Sequence, residues 1–426
     1  NTSIISGYHR FGAYKFDNTA PSKAATMTMK LDSADGTVTY NNDTWTNHSV
    51  YIALNNDAQD VHSGVASTTY TVNGGAATSE PQTLTSTGTY QIVVTTTDNV
   101  GLTTTRTYTI KIDKTLPTVW TMTRKLDRTD GTVTYNNDTW TNHSVYIAVN
   151  NGSDAHSGHK TTTYTVNGGE ATSTAQILDP GDGNTATYTI VVTTEDKSGE
   201  SYSEAGNKST HTYTVKIDKT KPAAGTMSMT VTLDNGTTTE YQNNTWTKQN
   251  VNISKVNGSD EASGSGHLET RYTVTGEITK ADGTKQAITA IQNQTSAIVL
   301  DPGDGNTGVY TIQVQTEDKS GESYSEQGNL SDVRTYTVKI DKTDPVADTL
   351  TMKAGSSSGI IYQDETAISN DVYIELKNQA SDILSGVKQT TYNVYYMGAN
   401  NSTETDYTKG TLLHENQTAP MTLSNT

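Results

Sequence analysis

Three aspartates recur at matched places along this chain, as Asp17, Asp60 and Asp98, as Asp113, Asp154 and Asp196, and as Asp218, Asp260 and Asp318, with Asp341 and Asp382 opening a fourth set. Calcium takes six to eight oxygen ligands, so carboxylates brought from three separate segments, with loop carbonyls filling the remainder, are the donor set it needs. A plainer reading stands beside it. Asp caps turns and tolerates the left-handed region, which alone places it in Asp-x-x-Ser-Gly loops such as 60–64 and 154–158. His62 and His156 follow Asp60 and Asp154 by two residues, but the later copies lack the histidine, so both read as exposed loop residues and not as transition-metal ligands. Asp179 and Asp182, with Asp301 and Asp304, sit in Asp-Pro-Gly-Asp-Gly stretches and read as plain bends. No nucleophile elbow, zinc signature, phosphate loop or dinucleotide fingerprint accompanies these acids, so no enzyme is expected.

Convergence requires a scaffold, and the sequence repeats one. Ile112-Asp113-Lys114-Thr115-Leu116-Pro117 returns at 217–222 and 340–345, with a relaxed copy at 16–21. The leading acids Asp17, Asp113, Asp218 and Asp341 stand 96, 105 and 123 residues apart. Such periods exceed a solenoid repeat of roughly 20 to 50 residues and suit whole domains. The repeats are therefore placed at 17–112, 113–217, 218–340 and 341–426.

Within a repeat, Val145-x-Ile147-x-Val149 alternates apolar and other residues, as do Val50-x-Ile52-x-Leu54, Val251-x-Ile253 and Val372-x-Ile374-x-Leu376. This is the period of a half-buried strand. Thr163-Tyr164-Thr165-Val166 runs into Asn167-Gly168, a hairpin turn pair, and Tyr188-x-Ile190-x-Val192 and Tyr213-x-Val215-x-Ile217 supply later strands. Six to seven short strands per repeat predict an all-β chain of tandem Ig-like β-sandwiches. In such a sandwich the start of the first strand, the B–C loop and the F–G loop share one pole, and the recurrent acids fall in those three places.

Composition agrees. Hydrophobic residues make up 32 % of the 426, with 24 Tyr against 2 Phe, so the cores must be thin and built from Val, Ile, Leu and Tyr. Asp and Glu outnumber Lys and Arg by 46 to 29, a net charge of −17, which is the wrong sign for nucleic acid. There is no cysteine, so packing, metal or domain contacts must stabilise the fold. The sequence holds no run of about 18 apolar residues of the kind that spans a membrane as a helix. Lys-Thr-x-Pro joints with no Gly/Ser tract predict stiff connections and an elongated rod, at roughly 35 to 40 Å per domain.

The ordered set of Ile-Asp-x-Thr-x-Pro, Trp-Thr, Asp-x-x-Ser-Gly, Tyr-x-Val-Asn-Gly-Gly, Gly-x-Tyr and Gly206-Asn207 resembles the tandem bacterial Ig-like repeats of secreted and surface-anchored proteins, over essentially the whole chain. The resemblance implies an extracellular or cell-surface location and a structural role, as the shaft of a fibre, adhesin or surface layer. Its partners would be copies of itself or further repeats. The alternative is a glycan-binding accessory array of a secreted enzyme, which exposed aromatics clustered on one face would favour. Asp35–Ala53 and Asp130–Ala148 are identical over nineteen residues, and Leu178–Pro222 closely matches Leu300–Pro345, as recent duplication would leave them.

Residues 1–16 align with the closing strand of a repeat, and the fourth repeat lacks its last two strands. Either the chain is an excerpt of a longer protein, or residues 1–16 of one subunit complete the fourth repeat of the next and build a fibre. Tyr90, Tyr188 and Tyr310 suit tyrosine corners or plain core positions. Trp45, Trp140 and Trp246 suit a core lid or interdomain packing better than a sugar platform. Lys111, Lys216 and Lys339 are poor isopeptide candidates, because alternation turns Ile110 and Ile112 inward and leaves Lys111 outside. Asn-x-Ser/Thr triplets, as at Asn47, Asn142, Asn207 and Asn329, arise by chance in a chain this rich in Asn and Thr.

Overall fold

A computed structural model describes residues 15–119, 121–362, 369–382, 384–397 and 410–424. The expected donor strand at 1–16 therefore lies almost wholly outside the described residues. The chain divides into two compact units, 1–219 with 322–325, and 220–321 with 326–426.

The first unit holds two sandwiches, each with its own apolar core. In the first, β1 (Met27–Leu31), β3 (Val50–Leu54) and β5 (Gln82–Leu84) form one sheet, with β3 in the middle. The facing sheet runs β2 (Trp45–Thr46), β7 (Thr103–Ile112), β6 (Gly88–Asp98), β4 (Val65–Val72). All pairs are antiparallel except β2 on β7, which is parallel and sets Trp45 opposite Lys111. The second sandwich repeats this with β8 (Thr123–Leu126), β10 (Val145–Ala148) and β12 (Gln176–Leu178) against β9 (Trp140–Thr141), β14 (Lys208–Asp218), β13 (Thr185–Asp196) and β11 (His159–Val166).

Strand alternation does more than bury apolar side chains. Along β6 the inward positions are Ile92, Val94, Thr96 and Asp98, all buried, and along β13 they are Ile190, Val192, Thr194 and Asp196. Burying each Ile contributes about 1.5–3 kcal/mol, and the same register then carries a carboxylate to the inner side at the strand end. The hairpin signal also holds. Asn73 and Gly74 have φ of 50° and 71°, and Asn167 and Gly168 of 50° and 72°, as a type I′ turn demands.

The second unit opens with β15 (Thr226–Thr232), β16 (Thr238–Glu240), β18 (Val251–Val256) and β22 (Ile298–Leu300) in one sheet. Facing it are β17 (Trp246–Thr247), β24 (Arg334–Asp341), β23 (Thr307–Asp318) and β19 (His267–Thr279), with β20 (Lys285–Ala287) and β21 (Ile291–Gln294) both paired to β19. The greater length of this repeat goes into that extended hairpin. Beyond it lie β25 (Leu350–Ala354), β26 (Val372–Leu376) and β29 (Met421–Leu423) in one sheet, and β27 (Tyr392–Tyr396) paired with β28 (Thr411–Gln417). Its buried apolar residues among those described are Ile374 and Tyr392. The protein is thus all-β, with sandwiches in tandem, and among the described residues the helical turns are the short 3₁₀ segments Glu200–Tyr202 and Glu322–Tyr324.

Candidate metal centre

The first unit gathers two of the acid sets. One carboxylate oxygen from each of Asp17, Asp60 and Asp98 lies within 4.8 Å of the others, and the same holds for Asp113, Asp154 and Asp196. The local sequence builds each approach. Asp113 directly follows β7, fully buried, with Asp154 in the loop before β11 and Asp196 at the end of β13. The acids placed by sequence in a first strand and an F–G loop thus sit at the ends of long strands, which fixes their backbone before any ion is considered.

The two triads differ in how many oxygens remain open. Asp113 is saturated, its Oδ1 accepting from Thr115 N and Oγ1 and its Oδ2 from Ser157 N at 3.1 Å and Oγ at 2.7 Å. Burial pushes its carboxyl pKa up, but the Thr115 and Ser157 donors outweigh it and leave it below the usual value. Asp196 Oδ1 accepts from Ser198 N and Oγ and Asn207 N, while Oδ2 accepts from Asn207 Nδ2 at 2.7 Å. Gly206 makes this possible, since a Cβ there would lie 2.4 Å from Asp196 Oδ1. Asp154 Oδ1 accepts from His156 N and Gly158 N, and the Ser157 Oγ that donates to Asp113 lies 3.4 Å from it.

In the first triad the F–G turn is short. Asp98 Oδ1 accepts from Val100 N and Leu102 N, each at 2.9 Å, whereas its buried Oδ2 has no hydrogen-bond partner among the described residues. Asp60 Oδ2 accepts from Gly64 N at 2.6 Å with Ser63 Oγ 3.4 Å away, and Asp17 Oδ2 accepts from Ser63 N. The Ser63 hydroxyl, followed by the Thr19 N–H and hydroxyl, lowers the Asp17 pKa to about 2. A buried carboxylate oxygen without a donor is costly unless a cation answers it. The donors present, three hard carboxylates on separate segments, fit calcium.

No protein-family model matches the chain, and no curated protein does. Among solved structures, similarity extends to a calcium-stabilised adhesin that helps an Antarctic bacterium reach out and bind ice, at 19 % identity over 83 % of this chain and 83 % of that one, with a TM-score of 0.27. A tetra-tandem repeat from the extending region of a large adhesion protein is 14 % identical over 94 % and 90 %, with a TM-score of 0.20. Carbohydrate-binding modules of the β-sandwich superfamily are 12 % identical over 75 % and 96 %, with a TM-score of 0.19.

The remaining acids fall as follows. Asp218, fully buried, closes β14 and accepts from Thr185 Oγ1 at 2.8 Å in the first unit. In the second, Asp260 accepts from Gly266 N, and buried Asp318 from Ser320 and Asn329. Asp341 accepts from Thr307 and Thr343, and Asp382 from Leu384 N, Ser385 Oγ and Gly386 N. Among the described residues no third acid joins Asp341 and Asp382.

The aromatic residues divide. Tyr90 donates to Ser86 O four residues upstream, as a tyrosine corner does, but the buried Tyr310 hydroxyl has no partner among the described residues, so that corner does not form there. Trp45, Trp140 and Trp246 are half-buried, with the ammonium groups of Lys111, Lys216 and Lys339 at 6.0, 5.8 and 5.7 Å from their rings. Lys111 and Lys216 also pair with Asp43 and Asp138, outside the core. His62 and His156 are exposed. Sequence reading missed Ser63, Ser157 and Ser198, which bind the acids. Their signal was the Ser of Asp-x-x-Ser-Gly and Asp-Lys-Ser-Gly.

Proposed function

We propose that this chain is an extracellular structural array, the repetitive shaft of a cell-surface fibre, adhesin or surface layer, in which calcium braces the sandwich poles. The supporting observation is the first triad, where Asp98 Oδ2 is buried without a donor among the described residues, beside Asp17 and Asp60. Asp17, Asp60 and Asp98 would hold the ion, and loop carbonyls or water would complete its shell. The ion cancels repulsion among three carboxylates and ties the entry segment, the β3–β4 loop and the end of β6 into one body. Repeats at 17–112, 113–217, 218–340 and 341–426 then act as successive rigid elements, and the role is mechanical. Association of copies by strand donation from residues 1–16 belongs to the same reading.

Calorimetric melting with chelator and with millimolar calcium tests the ion. A rise in melting temperature with calcium supports the reading, because binding to the folded state at a hundredfold excess over Kd adds about 2.7 kcal/mol. Identical melting in both buffers overturns it. Light scattering of the full chain, with and without residues 1–16, tests strand donation separately. Polymers that persist without that segment, or a monomer with it, rule donation out.

A further inference from the structure

The second sandwich sends a loop onto the first. Tyr202, in the 3₁₀ turn between β13 and β14, lies with its ring 6.5 Å from Tyr40 and its hydroxyl 3.0 Å from Thr44 Oγ1 and 3.1 Å from Asn41 N. Thr44 Oγ1 already donates to Asn41 O, so the Tyr202 hydroxyl donates to Thr44 and accepts from Asn41 N–H. Asn47 Nδ2 donates to Ala205 O at 3.1 Å, and His48 Nε2 meets Glu204 at 2.7 Å. The socket is preformed by Tyr40, whose hydroxyl donates to Thr44 O and accepts from Lys111 N. Tyr324, counted with the first unit, fills the corresponding socket of Tyr135, Asn136 and Thr139 with the same contacts.

A third socket stands in the second unit. Tyr241 donates to Thr245 O and accepts from Lys339 N at 2.9 Å, and Thr245 Oγ1 donates to Gln242 O at 2.6 Å. Every element of the receptor is in place, yet nothing among the described residues covers it. Thr245 is exposed where Thr44 and Thr139 are half-buried, and Thr247 is half-buried where Thr46 and Thr141 are fully buried. Gln242 N–H has no partner among the described residues, unlike Asn41 N–H and Asn136 N–H. Beside it an open cleft of about 1160 Å³ separates Lys248 and Gln249 from Asp341 and Asp382. At the occupied joint a single loop spans the matching gap, with Asp196 beside Asp113 and Asp154 and Glu204 on His48.

We propose that the Tyr241–Thr245 socket docks a tyrosine-tipped acidic hairpin loop of the Ser-Gly-Glu-Ser-Tyr-Ser-Glu type, presented by a following sandwich. The tyrosine hydroxyl bonds Gln242 N–H and Thr245 Oγ1, and its ring lies on Tyr241. Lys248 and Gln249 replace Asn47 and His48 at the rim and are held by Asp234, which places the Lys248 ammonium to meet a loop glutamate as His48 meets Glu204. Sockets and plugs of one kind make a joint that repeats head to tail.

The probe is a fluorescent, cyclised peptide with the sequence of residues 195–208, titrated into the full chain by anisotropy, once with calcium and once with chelator. Saturable binding in either buffer is expected, lost when the peptide carries Tyr202→Ala. Lys248→Glu and Thr245→Ala in the chain, each checked for unchanged melting, should weaken it roughly tenfold. Absence of saturation in both buffers overturns the proposal. So does equal binding of the alanine peptide, or binding that both chain variants leave unchanged. The test does not depend on a metal, so its failure and that of the calcium reading are separable.

Discussion

The hydroxyl of Tyr202 lies 3.0 Å from Thr44 Oγ1, a contact between residues 158 apart in sequence. It ties the second sandwich to the first through one side chain whose ring is half-buried. Tyr202→Phe removes both hydroxyl bonds but keeps the ring on Tyr40, and is expected to cost about 1 kcal/mol. Tyr202→Ala also removes the ring contact and is expected to cost about 2–3 kcal/mol. Urea denaturation of both variants checks this, and equal losses would place all the energy in the hydroxyl.

His48 sits between Asp32 at 2.8 Å and Glu204 at 2.7 Å. Burial pushes its pKa down, but the two carboxylates outweigh that and raise it above 6.5. A raised folded value means the clamp's contribution is fully present below pH 6.5 and is lost as pH climbs through the folded pKa. Ring-proton NMR should show a midpoint above 6.5 that falls in Glu204→Gln. A midpoint unmoved by that substitution would mean Glu204 does not face a charged ring.

Asp98 and Asp196 are matched in sequence position but not in environment. Asp98 Oδ2 has no partner among the described residues, whereas Asn207 Nδ2 donates to Asp196 Oδ2. Asp98→Asn should therefore keep or raise the melting temperature in chelator, by relieving carboxylate repulsion, while removing the rise given by calcium at the first pole. Asp196→Asn should lower it in chelator, because an amide set against the Ser198 and Asn207 donors loses charge-assisted bonds worth about 1.5–3 kcal/mol. Calorimetry on the two variants, with and without calcium, separates a metal pole from a hydrogen-bonded one.

The strands were legible because alternation is a local property. Val50-x-Ile52, Val145-x-Ile147 and Asn167-Gly168 announce themselves within a few residues, and β3, β10 and the I′ turn follow. The acids were legible for another reason. Repetition showed which aspartates keep their place, and sandwich geometry said which places share a pole. The state of each oxygen was not legible, since it depends on whether Ser198 and Asn207 reach Asp196 while the shorter turn after Asp98 brings only backbone N–H groups to one side. Nor was the socket. Tyr40, in the segment between β1 and β2, and Tyr202, in the 3₁₀ turn between β13 and β14, look like ordinary polar aromatics, and only the packing of one sandwich on the other brings them together.

Acid should unfold the first sandwich in a way that reports on Ser63. Asp17 has a folded pKa of about 2 against an ordinary value of 3.8, held there first by the Ser63 hydroxyl and then by Thr19. A depressed value gives stability that is present above pH 3.8 and lost as pH falls toward 2. Ser63→Ala removes the hydroxyl and leaves the Ser63 N–H bond to Asp17 Oδ2 intact. The Asp17 pKa should then rise toward 3.8, and the loss of stability should begin at higher pH. Carboxyl-carbon NMR of Asp17 reads the first effect and acid denaturation the second. Calcium should mask both, because an ion at the triad holds the carboxylate anionic whether or not Ser63 donates to it. A titration of Asp17 that is the same in Ser63→Ala and in the parent would show that the Thr19 bonds and the residue-63 N–H hold the carboxylate without the hydroxyl.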